Sequence, residues 1–307
     1  MAADAETRVV AIFGPTAVGK TGVAIALAER LRERGEDPVA VNCDAIQVYR
    51  GLEVLSGAAS AEERGRLEHR LLSFVDPAEE FSAGRYAELA HAEIDGLIAE
   101  GRHPIVVGGT GLYLRAALSE LELRPPVPAA IRKEVEAELA ERGPAALHAE
   151  LEPALAAGVA PGDRKRVARL TELGRAGIEA HGGAEGLWTA DLRHPTLLIG
   201  LTMDRALLAD RIDARVEAML AAGAAEQARA VAEAGASRTA RASLGFAELL
   251  EGHDAPPPPE AVEAIKTGHR RYARRQLSWM RRMEEVTLID RSDRDDARVA
   301  EEIASLL

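Results

Sequence analysis

An α/β fold, with one parallel sheet flanked by helices and interrupted by an all-helical insertion, is what this sequence predicts. Three observations carry the expectation. A glycine-rich turn joins an apolar run to a helical period: Val9 to Phe13 leads into Gly14, Pro15, Thr16, Ala17, Val18, Gly19, Lys20 and Thr21, and then Val23, Leu27 and Leu31 recur at helical spacing. Short apolar runs go on alternating with helical periods as far as Leu123, the pattern of strand–helix–strand units. Residues 124–190, by contrast, hold helical periods and no strand signal until Thr196. The expected organisation is a core of residues 1–123 and 191–307 around a helical insertion of 124–190.

The first turn fits G-x-x-x-x-G-K-[ST] in the strand–loop–helix context that gives this pattern its meaning, so the core is expected to resemble P-loop NTPases. Its glycines let backbone N–H groups turn inward around phosphate oxygens, and the helix N-terminus adds positive potential. Lys20 contributes charge, and the Thr21 hydroxyl is placed to hold Mg²⁺ beside a diphosphate or triphosphate. The motif by itself does not say which of these binds, or what is done with it.

Val39 to Cys43 reads as the next strand and ends at Asp44, followed by Ala45, Ile46 and Gln47. In an open parallel sheet the strand carboxyl ends face the ligand crevice, so Asp44 is expected near the phosphate loop, as a chemical group or as a turn former. Leu52 to Arg70 has no clear period, and the lone His69 reads as a surface or packing residue. Ser82 caps a helix carrying Tyr86, Leu89, Ala90, Ile94, Leu97 and Ile98, with Gly101 as its stop. Ile105 to Val107 is a strand entering a second glycine turn, Gly108 to Leu114, where Thr110 offers a hydroxyl to the same crevice.

Pro125, Pro126 and Pro128 open the insertion. Its helical periods are Ile131, Val135 and Leu139, then Leu147, Leu151 and Leu155, then the basic stretch Asp163 to Arg169, with Gly182, Gly183 and Gly186 in the return linker. Strand Thr196 to Leu201 resumes the sheet. Asp204 caps a helix with Leu208, Ile212, Val216 and Met219 on one face, placing Arg211 and Arg215 together at i, i+4 spacing. They either clamp an anion or pair with Asp210, Asp213 or Glu217 on a solvated face. After the proline run 256–259, a long helix carries an arginine cluster with Tyr272 and Trp279 interleaved, and a strand, Val286 to Ile289, and a helix end the chain.

With 307 residues, 47% of them hydrophobic and 29% charged, the composition is that of a globular protein large enough for one big core or two domains. The single cysteine, Cys43, excludes an internal disulfide. The start MAADAETR lacks the basic and apolar regions of a secretory leader, so a cytoplasmic protein is expected. The longest apolar stretches are strand-sized, short of the ~20 residues of a membrane span, so no membrane association is expected. A monomer is expected. Net charge is −12, from 50 acidic and 38 basic residues, which taken globally argues against a nucleic-acid partner. Its distribution points the other way. Asp163 to Arg169 holds four basic residues against one acid, and His269 to Arg282 holds six arginines and no acid. Two such patches on an acidic body suit local contact with a polyanion, and arginines among aromatics suit phosphate contact with base stacking.

Six stretches, GPTAVGKT, DAIQVYR, VVGGTGLYLRA, DRKRVARLTE, RIDARVEAML and YARRQLSWMR, stand in the order found in the bacterial tRNA dimethylallyltransferases, which the chain resembles over nearly its whole length. The resemblance implies transfer of a dimethylallyl group from dimethylallyl diphosphate to N6 of the adenosine adjacent 3′ to the anticodon, in tRNAs reading codons that begin with U. It implies Asp44 as general base and contact to the adenine amino group, and Thr110 beside the transfer site. It also implies Thr16, Gly19, Lys20 and Thr21 on the diphosphate, with Arg215 as the diphosphate-binding arginine and Arg211 its neighbour. Contacts to the anticodon stem-loop are implied for Asp44, Ala45, Ile46, Gln47, Thr110, Arg132, Lys165, Arg166 and Arg169, and for His269, Arg270, Arg271, Arg274, Arg275 and Gln276. Ala45 stands where the family usually has Ser, and Ser56 to Ala59 where it has Thr-Ala-Lys-Pro. Three other readings share parts of this pattern: a small-molecule kinase on the same loop, an isopentenyltransferase acting on free adenine nucleotides, and a tRNA-binding relative with weak catalysis.

Overall fold

Residues 9–121, 123, 125–179, 191–251, 256–284 and 286–307 are described by the computed structural model. In chain order they form β1 (Val9–Phe13), α1 (Lys20–Glu33), β2 (Pro38–Asn42), α2 (Glu53–Ser56), α3 (Ala61–Arg66), β3 (His69–Arg70), α4 (Ala83–Ala99), β4 (His103–Gly108) and α5 (Gly111–Leu118). The helices α6 (Ala129–Arg142), α7 (Pro144–His148), α8 (Pro153–Ala156) and α9 (Arg164–Arg175) follow. The chain then gives β5 (Thr196–Thr202), α10 (Arg205–Ala221), α11 (Ala224–Glu233), α12 (Phe246–Leu250), α13 (Pro259–Met280), β6 (Thr287–Asp290) and α14 (Asp296–Ser305). By contacts it divides into two units, Met1–Glu120 with Thr189–Leu307, and Leu121–Trp188.

All strand pairs of the larger unit are parallel, in the order β3-β2-β4-β1-β5-β6. Strands β1 and β2 are buried along their length, which explains why they read as continuous apolar runs rather than alternating ones. One face is sealed by Val23, Leu27 and Leu31 of α1 together with Val299, Ala300 and Ile303 of α14. Each such side chain contributes about 1.5–3 kcal/mol when fully removed from water. Helix α4 starts as the sequence suggests, the Ser82 hydroxyl accepting from the Arg85 N–H at 3.2 Å. The illegible stretch after Leu52 contains a capping box at the start of α3, where Ser60 and Glu63 bond each other's backbone N–H.

This order decides where the site is. Strands β2, β4 and β1 are immediate neighbours, and their carboxyl ends deliver Asp44, the Gly108 turn and the Gly14 turn to one crevice, beside the point where the strand order changes direction.

In the smaller unit Val135 and Leu139 of α6, Leu147 of α7 and Val167 of α9 form the core. The period through Leu147, Leu151 and Leu155 is not one helix. Pro153 has no N–H to donate and restricts Glu152, so α7 stops and α8 starts separately, with His148 Nε2 bridging the break to the Ala156 and Val159 carbonyls at 3.1 and 2.8 Å. The glycines of the return linker, Gly182, Gly183 and Gly186, lie outside the described residues. Among the described residues no helix is long and apolar enough to cross a membrane.

Candidate active site

The first turn wraps with Ala17 and Gly19 at positive φ, 64° and 95°. Lys20 opens α1 and bends back, its Nζ donating to the Gly14 and Pro15 carbonyls at 3.1 and 3.0 Å. That position desolvates the ammonium and lowers its pKa from 10.5 to about 8, against the opposing pull of Asp44 and with Arg215 adding to the decrease. A cation stripped of water in this way interacts more strongly with an anion than a solvated one does, and an adjacent anion favours its charged form. The Thr21 hydroxyl stands in the first turn of α1. No three His, Cys, Asp or Glu side chains gather as metal ligands among the described residues. A single hard oxygen donor beside a phosphate loop fits Mg²⁺, which keeps most of its waters and takes phosphate oxygens; it does not fit a cation needing a full protein cage.

Asp44 follows β2 in a loop fixed from several sides. Its Oδ1 accepts the Ile46 and Gln47 N–H groups at 3.0 and 3.4 Å, so it is a turn former as well as a carboxylate whose charge acts on Lys20. Asn42 accepts the Asp44 N–H and donates to the Leu71 carbonyl. The Ala45 N–H donates to Thr110 Oγ1 at 3.1 Å. Tyr272 then donates its hydroxyl proton to the Gly109 carbonyl at 3.2 Å and stands 3.3 Å from Thr110 Oγ1. Burial first, and then the nearby Asp44, raise the Tyr272 pKa, so the phenol stays a donor. Thr110 therefore ties the Asp44 loop to the second glycine turn, and Ala45, lacking a hydroxyl, takes part through its backbone.

Gln276 joins the two glycine turns. Its Oε1 accepts the Thr16 N–H at 2.8 Å and its Nε2 donates to the Gly109 carbonyl at 2.8 Å. A Cβ on Gly109 would lie 2.2 Å from Gln276 Nε2, so only glycine admits the amide there. Helix α13 is thus part of the site. Its period places Ile265, His269, Ala273, Gln276 and Met280 inside, while Arg271, Arg274 and Arg275 are exposed. His269 and Gln276, which the resemblance puts among the tRNA contacts with the arginines beside them, lie on the buried face of the helical period, at 4% and 3% exposure. Burial, and then Arg215, lower the His269 pKa to about 4, so the ring is neutral. Arg270 pairs with Asp213 of α10, and Arg275 covers the Tyr272 ring at 5.4 Å.

Arg215 and Arg211 differ. Arg215 Nη2 donates to the Ser56 carbonyl at 2.9 Å, its pKa is lowered by desolvation, and Asp44 acts on it in the opposite direction. Arg211 is exposed and lies in the field of Arg291 and Asp296. Of the acids that could have neutralised the pair, Asp213 bonds Arg270 and Glu217 bonds Lys266. Gln47 is turned inward, donating to the Ser56 and Gly57 carbonyls.

In the smaller unit, Arg164, Lys165 and Arg166 are exposed on α9. Arg164 reaches the Leu139 carbonyl, Arg166 faces Asp163 at 3.5 Å, and Arg169 bonds Glu172 and the Pro125 carbonyl. Arg132 lies half-buried on α6. Sequence reasoning missed the binding of both glycine turns by α13, although the period through Ile265, His269, Ala273 and Gln276 is visible in it. It also missed Asn42 and Arg291, for which no pattern exists.

The IPP transferase family model matches residues 47–283. The tRNA dimethylallyltransferase of Anaeromyxobacter dehalogenans strain 2CP-C is 44% identical over 296 residues, covering 92% of this chain and 94% of that protein. That of Thermobifida fusca is 40% identical over 289 residues, covering 90% and 88%. Among solved structures, the full-length tRNA isopentenylpyrophosphate transferase from Bacillus halodurans superposes with a TM-score of 0.70 at 33% identity, over 98% of this chain and 96% of that one.

Proposed function

The chain belongs to the tRNA dimethylallyltransferases, a family of tRNA-modifying prenyltransferases, and from that membership we propose how its crevice carries out the transfer. The donor is dimethylallyl diphosphate, seated on Gly14 to Thr21, with Lys20 and Arg215 on its phosphate oxygens. The acceptor is N6 of the adenosine adjacent 3′ to the anticodon, in tRNAs reading codons that begin with U. The observation that carries this reading is that Lys20, bonded into the turn after β1, and Asp44, in the loop after β2, stand at the same end of the sheet, with Gln276 and the Ala45 N–H tying these two loops to the glycine turn after β4 between them. The charge of the carboxylate acts on both Lys20 and Arg215.

The bond between the allylic carbon and its phosphate oxygen breaks, and its electron pair leaves with the diphosphate. Lys20 and Arg215, both poorly solvated, gain most from the charge that develops there. N6 supplies the pair for the new carbon–nitrogen bond and loses one proton, which Asp44 accepts. The backbone bonds at Ile46 and Gln47 aim that carboxylate, and the Thr110–Tyr272 link holds its loop. Mg²⁺, held by the Thr21 hydroxyl and the diphosphate, would supply further charge neutralisation. Arg132, Lys165, Arg166 and Arg169 of the smaller unit, and Arg271, Arg274 and Arg275 of α13, are the groups for tRNA phosphates. The protein acts as a cytoplasmic monomer.

Mass spectrometry of an anticodon stem-loop, incubated with protein, Mg²⁺ and dimethylallyl diphosphate, tests the reading. The expected product carries one dimethylallyl group on that adenosine. Prenylation of free adenine nucleotides with none of the stem-loop would overturn it.

A further inference from the structure

Arg291 follows β6, beyond the reach of the family model, and is 5% exposed. Its backbone N–H is anchored to the Thr202 carbonyl at the end of β5 at 3.1 Å, and from there the side chain runs beneath the first glycine turn. Nη1 donates to the Gly19 carbonyl at 3.0 Å, and Nη2 is paired with Asp296 Oδ1 at 2.8 Å. Asp296, in the first turn of α14, also presses on α1: a Cβ on Gly22 would lie 2.0 Å from its Oδ2. Fit is equally close at Gly19, where a Cβ would lie 1.9 Å from Arg291 Nη1 and φ is +95°.

We propose that Arg291 is a positioning residue of the diphosphate loop, fixing the Gly19–Lys20 peptide so that its N–H faces the bound diphosphate. The peptide is planar and trans, so a carbonyl held on one side sends the next N–H to the other. The Gly19 carbonyl is held twice, by the Val23 N–H of the first helical turn at 3.1 Å and by the guanidinium at 3.0 Å. The Lys20 N–H is thereby kept pointing into the loop, as one of the donors that a phosphate-binding helix terminus presents. The guanidinium does this from behind, on the carbonyl side of the peptide. It also adds a buried positive charge under the loop, which favours an anion above it. Asp296 keeps the guanidinium in place by holding its other nitrogen, so the carboxylate and the arginine act as one strut between the C-terminal segment and the loop.

The inference rests on the reading of Gly14 to Thr21 as a diphosphate site. Calorimetry of the full chain with inorganic pyrophosphate and Mg²⁺ tests both and keeps them apart. Wild type is expected to bind, and its failure to do so would overturn the loop reading and this inference together. Arg291→Ala is expected to bind about tenfold to a hundredfold more weakly, the loss appropriate to a charge-assisted hydrogen bond. In turnover the KM for dimethylallyl diphosphate rises correspondingly, while kcat and the KM for the stem-loop change by less than about threefold, a split that general destabilisation would not produce. Arg291→Lys retains a charged donor for the Gly19 carbonyl but not the fork to Asp296, and is expected to recover pyrophosphate affinity to a level between alanine and wild type. Should the alanine variant fail to fold, Arg291→Gln decides, since it keeps an N–H donor without the charge and is expected to lie between alanine and lysine. Equal pyrophosphate affinity in wild type and Arg291→Ala, or in wild type, Arg291→Lys and Arg291→Gln where alanine does not fold, overturns the proposal.

Discussion

The crevice at the strand ends and helix α9 both present cations to a polyanionic substrate, under opposite conditions. Lys20 and Arg215 are desolvated, fixed by carbonyls and close to a carboxylate, and the pKa of each is lowered. Arg164, Lys165 and Arg166 on α9 are exposed, near the acids of their own unit. Desolvated charge interacts strongly over short distances and escapes screening by salt, while exposed charge acts weakly and is screened within about 10 Å at ordinary ionic strength. The first arrangement suits a transition state, the second the docking of a large substrate. Helix α13 belongs to both, with Gln276 and Tyr272 bonded to the glycine turns and Arg271, Arg274 and Arg275 facing solvent.

The hardest test of that contrast is Asp44→Asn. The amide keeps the shape and the backbone bonds but cannot take a proton. Single-turnover transfer is expected to fall by about 10²–10⁴-fold, with stem-loop affinity unchanged. A variant retaining more than about a tenth of the wild-type rate would remove Asp44 as the base and leave it a turn former.

Next in size is the pair on α10. Arg215→Ala is expected to lower the transfer rate by about 10²–10³-fold, the loss typical of one donor at developing charge. Arg211→Ala, an exposed cation on the same helix, is expected to cost less than about tenfold. Equal small losses from both would make Arg215 another solvated arginine and erase the distinction between the two regions.

The sequence carries the crevice better than the helices that serve it. Gly14 to Thr21 is legible because each position has a backbone or charge requirement that few residues meet. Asp44 is legible from its place at a strand end. The division of the run from His269 to Gln276 is less legible, because a motif stands as one block in the sequence while the helical period splits it into a buried face, with His269 and Gln276, and an exposed one, with Arg271, Arg274 and Arg275. The second apolar period of the insertion was misread as a single helix because leucine spacing outweighed Pro153. Arg291 has no local signal at all. Its role exists only when β5, β6 and the first loop are brought together, a fact of topology that no short window of sequence contains.

Proton linkage gives a third, smaller effect, confined to the crevice. Lys20 titrates near 8 in the free protein because burial disfavours its charged form. A bound diphosphate favours that form and raises the pKa again, so binding above pH 8 takes up a proton. Affinity for dimethylallyl diphosphate is therefore fully present below pH 8 and falls as pH rises, by up to about tenfold per unit until the pKa of the bound state is reached. For the fold the sign is the reverse. A lysine pKa lower in the folded than in the unfolded state makes stability rise as pH climbs from about 8 to 10.5, as the buried charge is given up. Calorimetry in buffers of different ionisation enthalpy measures the proton directly. A flat affinity between pH 7 and 9 would mean that Lys20 is as well solvated as the cations of α9.

The smallest effects belong to the exposed patches and decide whether they touch RNA at all. A protein of net charge −12 repels tRNA at long range, so binding has to come from local phosphate contacts that release counterions. Each such contact adds about one unit, somewhat less on single-stranded segments, to the slope of log affinity against log salt. Arg166 on α9 and Arg275 on α13 are the probes, since both are exposed; among the described residues, Arg275 touches the crevice only through its stacking on the Tyr272 ring. Replaced singly by alanine and titrated with an anticodon stem-loop from about 50 to 200 mM salt, each is expected to reduce the slope by about one. Dimethylallyl diphosphate affinity should not change in either. The two slopes need not fall together. A loss confined to Arg275 would make α13 the docking surface and leave the basic residues of α9 paired with the acids of their own unit; a loss confined to Arg166 would make α13 a support for the glycine turns alone. Wild-type slopes in both would leave the acidic surface unopposed, and the division between buried charge for chemistry and exposed charge for docking would fail on its second half.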